Sequence, residues 1–200
     1  MAAMVRVAHL RGIAGGAAIL TSFGSAWCFL ALANWTAAQP GRPNWSLPAA
    51  SIATVTLLAL CAARLLSLRK LRDDPDPIAA AKGKRDGIFF GIIFGAEGGL
   101  IALSSFLLAR YGLSDWIVIA TAIIVGAHFL PLASLFRVPL YYGTGALSIL
   151  GALACAPIPD PALRTRSAAF VMTAVLWSTS ALLLRQVASL QASRTQASRT

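Results

Sequence analysis

The sequence predicts an all-α fold, a polytopic membrane bundle of six transmembrane helices with both termini on the cytoplasmic side. Three observations predict it: six apolar runs of about membrane-spanning length, a composition with 58% hydrophobic and only 12% charged residues, and basic residues that gather in alternate loops. A helix needs about 20 mostly apolar residues to cross roughly 30 Å of hydrocarbon. The runs extend over about 13–35, 49–68, 87–109, 116–136, 140–156 and 167–184, which makes residues 1–190 one transmembrane domain.

The first run follows Arg6 and Arg11 and contains Ala31-Leu32-Ala33, so a secretory signal has to be weighed. It is longer than the 7 to 15 residues of a signal core and five more runs follow it, which favours a span. The second run holds Cys61, but Leu60 is bulky where a lipid-attachment site needs a small residue. Arg64, near its end, can snorkel to the headgroups. Residues 69–86 are expected to be a cytoplasmic loop, with an acidic block (Asp73, Asp74, Asp76) and a basic one (Lys82, Lys84, Arg85). Pro75 and Pro77 bias that loop toward extended backbone.

The third run carries Gly87, Gly91, Gly95 and Gly99, spaced four apart, and Glu97. On a helix the glycines form a groove that lets another backbone approach, with Gly12 and Gly16 on the first run as a second such surface. Glu97 points about 140° away from the glycine row, so one helix has a packing face and a face bearing a carboxyl. The fourth run carries His128, with Gly126 and Pro131 predicting a helix bend beside it. Asp86 and Arg137 mark the cytoplasmic ends of the third and fourth runs, and put Glu97 about 16 Å deep and His128 about 13 Å deep. The two therefore share a depth on helices joined by a short loop, and a Glu97–His128 pair is predicted.

The fifth run, Leu140 to Ala156, is the shortest, and it is counted as a span because dropping it would invert the sixth. Basic residues flanking successive pairs of runs suggest three helical hairpins. The last ten residues, 191–200, repeat QASRT and are expected to be a disordered tail.

The net charge of +10 is explained by topology: 13 basic residues fall on the inner side and Arg42, Arg110, Arg164 and Arg166 on the outer. No nucleic-acid partner is needed. Cys28, Cys61 and Cys155 lie inside spans, and no Cys or His spacing marks a metal or cofactor site. The acidic block of the loop lacks the second acidic motif that a diphosphate-binding membrane transferase uses with its divalent metal. No catalytic residue is assigned.

The segments GIFFGIIFGAEGGL and GAHFLPLASLFRVPLYYGTG resemble uncharacterised bacterial multi-pass membrane proteins with Gly-rich, Glu-containing and His-Phe-Leu-Pro-Leu helices. The resemblance implies the architecture and the inner (cytoplasmic) membrane of a bacterium, and no activity. Two functions from different classes fit the residues. One is binding or passage of a small solute or ion at a mid-membrane polar site, centred on Glu97 and His128, with Thr21, Ser22, Ser25, Ser104, Thr144, Ser148, Thr173, Ser178 and Thr179 adding hydroxyls within the bundle. The other is a noncatalytic subunit, packing through glycine faces against its own copy or a membrane partner, in which a Glu–His contact merely pins two helices.

Overall fold

A computed structural model of the chain describes residues 7–38, 45–69 and 77–197. Among them the fold is all-helical: α1 (Val7–Ala37), α2 (Ser46–Arg69), α3 (Pro77–Arg110), α4 (Ile117–Phe136), α5 (Leu140–Cys155) and α6 (Pro161–Ala197), with a 3-10 turn at Ser114–Trp116. Five helices, all but α5, are long and apolar enough to cross a membrane. The fifth expected span is an apolar helix of 16 residues, or about 24 Å at 1.5 Å per residue. Side chains on the outside are apolar throughout the bundle: Ile52, Ile92, Phe106 and Leu150 are 60–68% exposed. Hydrocarbon is the solvent such a surface requires, and the chain is an integral membrane protein.

The helices overrun the apolar runs wherever the flanking residues favour helix. Residues 77–86, expected as part of an extended loop, form the start of α3. Pro77 is its first residue, where a missing N–H costs nothing and the fixed φ suits a helix. Pro161 opens α6 in the same way. Past Leu190, where a disordered tail was expected, α6 continues to Ala197, through a stretch whose Gln, Ala and Arg are good helix formers. The block Asp73, Asp74 and Asp76 lies outside the described residues.

α3 ends at Gly112, whose φ of +72° is the left-handed conformation that glycine adopts without strain. Gly112 N–H donates to the Ala109 carbonyl and Leu113 N–H to that of Leu108, the paired bonds of a Schellman cap. α4 ends as sharply at Arg137, also left-handed, and α5 turns straight back along it.

α1 and α6 form the most extensive helix contact, followed by α4 with α5. The hairpin pairs α1–α2, α3–α4 and α5–α6 also touch, so the pattern of three hairpins is present but does not dominate the packing. At the α1–α6 crossing the Thr21 and Ser180 hydroxyls are 2.7 Å apart, and both reach the Ala17 carbonyl, at 3.0 and 2.8 Å. Gly24 lets the Trp177 indole lie directly on α1, since a Cβ there would be 2.5 Å from its Cδ1. α2 joins through Thr54, which donates to the Ser25 hydroxyl at 3.0 Å, and Arg11, which donates to the Leu68 carbonyl.

Gly126 and Gly145 are where α4 and α5 approach most closely: a Cβ on Gly145 would stand 2.6 Å from the Gly126 carbonyl oxygen, and one on Gly126 would stand 2.7 Å from Ile149 Cγ1. The residue expected to loosen a bend thus serves helix packing, while Pro131 sits inside a helix that continues to Phe136. Gly145→Ala should destabilise the protein by about 1–3 kcal/mol through overpacking, read as a lower thermal midpoint in detergent. Gly95→Ala, where a Cβ meets nothing within 4 Å, should leave the midpoint unchanged or raise it.

Candidate functional site

One face of α3 presents Phe90, Phe94 and Glu97, at i, i+4 and i+7, toward α1 and α4. α4 presents His128, Phe129 and Leu132 toward the same space. Glu97 Oε2 lies 3.2 Å from His128 Nδ1, with side-chain exposures of 12% and 8%. The two residues that the depth argument paired are thus brought together. The contact has ion-pair distance without hydrogen-bond alignment, and Nδ1, fully buried, has no hydrogen-bond partner. Two aromatic rings meet the imidazole edge-on, Phe94 at 6.4 Å and Phe129 at 5.7 Å between centroids.

The pair forms part of the wall of a cleft of about 660 Å³ between α1 and α3, floored by α4, α5 and Leu176 of α6. Its size is that of a small-molecule site. The wall is largely apolar and aromatic, with Ile19 and Phe23 from α1 opposite Phe90 and Phe94 from α3. At the end where α1 begins, the lining becomes polar: His9, Arg137, and Lys82 paired with Asp86 one turn on. Gly12, Gly15, Gly16, Gly83 and Gly87 keep this end open.

Among the described residues, the glycines of α1 and α3 do not meet in the close packing expected of them. A Cβ at Gly87, Gly91, Gly95, Gly99 or Gly12 would meet nothing within 4 Å; at Gly16 it would meet the Tyr141 hydroxyl of α5, at 2.5 Å. The rings of Phe23 and Phe94 hold the helices apart, edge to face with centroids 6.3 Å apart. Because glycines four apart drift by about 40° per step around a helix, Gly87 lines the cleft while Gly91, Gly95 and Gly99 turn away from it.

The bundle's hydroxyls do not reach the cleft either. Thr21 and Ser25 serve the contacts around α1, Thr144 and Thr179 meet at 2.9 Å between α5 and α6, and Thr173 and Ser104 bond to carbonyls of their own helices. Ser148 is buried without a hydrogen-bond partner. Among the described residues no group of three His, Cys, Asp or Glu side chains is placed to hold a metal, and the three cysteines are free and buried.

Residues 87–186, which are 100 of the 200, match the family described as Family of unknown function (DUF7010). The chain belongs to that family. The DUF7010 segment opens at Gly87 and contains Glu97, His128 and the Gly126–Gly145 contact, whereas α1 and α2 precede it. One wall of the cleft is therefore DUF7010 sequence and the opposite wall is not. No curated protein and no solved structure matches the chain.

The aromatic wall was legible as a pattern, since Phe90, Phe94 and Glu97 share a helix face, but its significance depends on α1 standing opposite. A double-mutant cycle with Glu97→Gln and His128→Asn should give a coupling of about 0.5–2 kcal/mol in thermal or denaturant unfolding, the range found for polar contacts between membrane helices. A coupling near zero would show that the 3.2 Å approach carries no energy.

Proposed function

We propose that this integral membrane protein binds or passes a small solute or ion at a mid-membrane polar site, with Glu97 and His128 as its polar centre. The observation that carries the reading is the placement of that pair, unaligned with each other, in the wall of an accessible cleft. An ionisable group at such depth costs about 2.5–3.5 kcal/mol on insertion scales and is retained where it faces a partner or a wet or ligand-filled space. Both groups can exchange a proton with a bound species or with each other. The proposal includes six spans, both termini in the cytoplasm and location in a bacterial inner membrane. Support for that orientation comes from the basic loops, and from Lys82, Arg137 and His9 lining one end of the cleft.

The test is the accessibility of Glu97. In protein reconstituted into liposomes, dicyclohexylcarbodiimide, an apolar reagent that couples to carboxyl groups, should modify Glu97, as read from peptide masses. No adduct after exhaustive treatment of folded protein would remove the reading.

A second reading has its own observation. No residue described on α3 is buried, and a Cβ added at its outward glycines would meet nothing within 4 Å among the described residues. A noncatalytic subunit that assembles through this face, with its own copy or a membrane partner, would use it for close backbone approach. In that case Gly95→Leu should abolish cross-linked oligomers in native membranes while leaving the monomer's thermal midpoint within a few degrees. Oligomers that persist in the variant, or a wild-type protein that cross-links to nothing, would count against it.

A further inference from the structure

Resting on the solute-binding reading, we propose that the α1–α3 cleft takes a lipophilic organic cation, with its charge at Glu97 and its apolar body along the phenylalanine wall. Three observations point to this class. Glu97 is the acidic group of the cleft with no Lys or Arg beside it, whereas Asp86 is already paired with Lys82. The titratable and charged groups lining the cleft are few: His9 from α1, Lys82, Asp86 and Glu97 from α3, His128 and, at its end, Arg137 from α4, and Tyr141 from α5. Of these only His128 touches Glu97. Inside the protein only His128 can offer this carboxyl a compensating charge, and only when its imidazole is protonated; with the imidazole neutral, a bound cation can provide it.

The second observation is His128 itself. Its side chain is more than nine-tenths buried, it lines the cleft, and Nδ1 has no hydrogen-bond partner. With the imidazole neutral, the carboxylate beside it is the charge at this point of the cleft wall and a binding position for a cationic centre. The third is the aromatic composition of the wall. Phe23, Phe90 and Phe94 converge on the space in front of Glu97, with Phe90 stacked on Phe94 at 5.9 Å. Aromatic faces attract cations, most strongly where the contact is desolvated. They also give the apolar substituents of such a ion a surface that small inorganic cations do not use. A cation of this kind partitions into the bilayer and can enter between α1 and α3, whereas Arg137 and Lys82 at the polar end stand about 13 Å or more from the pair along their helices.

The test uses two ions of nearly identical size and shape and opposite charge. Tetraphenylphosphonium should slow carbodiimide modification of Glu97 at least tenfold at saturation, and tetraphenylborate should not. Equilibrium dialysis should show phosphonium binding that falls at least tenfold in Glu97→Gln and several-fold in Phe94→Ala, both variants being checked for monodispersity and thermal midpoint. If both ions protect, if only tetraphenylborate protects, or if neither does while Glu97 still reacts, the cation assignment is overturned and the solute-binding reading stands. If Glu97 never reacts, the solute-binding reading falls and takes this inference with it.

Discussion

The contact between α1 and α6 is the constraint on which the remaining arrangement depends. It joins the first helix to the last and occupies the side of α1 that carries Ala17, Thr21 and Gly24. In hydrocarbon there is no hydrophobic drive to hold helices together, so close backbone approach and interhelical hydrogen bonds decide which helices pair. Two hydroxyls around one carbonyl, and an indole seated on a glycine, provide both here. With α1 committed to α6 and α2, α3 is left on the far side of the bundle. α3 packs mainly on α4, with the 3-10 turn and the Phe23–Phe94 ring contact to α1 as lesser neighbours, and the cleft is the gap this leaves between α1 and α3.

The division of polar residues follows from the same constraint. Hydroxyl groups were candidates for a polar cavity, yet those at the helix crossings are consumed by packing. Thr21, Ser25, Thr54, Thr144, Thr179 and Ser180 all lie at interfaces of α1, α2, α5 and α6. The opposite end of the bundle is fastened by charge instead. Arg164, buried at 6% exposure, lies over the Trp116 ring and donates to carbonyls of Ile158 and Asp115, tying the start of α6 to the turn before α4. Away from its polar end, the cleft keeps the ionisable pair and the aromatic rings.

The sequence made the helical architecture legible because hydropathy over a span-length window is a strong signal, and the Glu97–His128 pair legible because depth along two antiparallel helices can be counted in residues. Helix ends were less legible. Pro77 was read as a breaker, although proline at a first helical position starts a helix as readily as it breaks one. The glycines were the least legible. Spacing reveals a surface that permits close approach but not whether a neighbour arrives, so the regular row on α3 faces away from its own chain. Meanwhile Gly126 and Gly145, nineteen residues apart on separate helices, form a close backbone contact between α4 and α5. No single-helix periodicity could have matched them.

That glycine contact also governs the site. His128 lies two residues beyond Gly126, on a helix whose register against α5 is fixed where the Gly126 carbonyl and Gly145 meet. Its neighbour Phe129 packs on Tyr141 of α5, with centroids 5.8 Å apart. The imidazole is thus held by the α4–α5 pair, while its carboxyl partner is held by α3, which has no buried side chain of its own among the described residues and rests against α4 on one side. One half of the pair is rigidly placed and the other belongs to the least embedded helix of the bundle. A displacement of α3 that widened the cleft would therefore carry Glu97 with it and leave His128 in place.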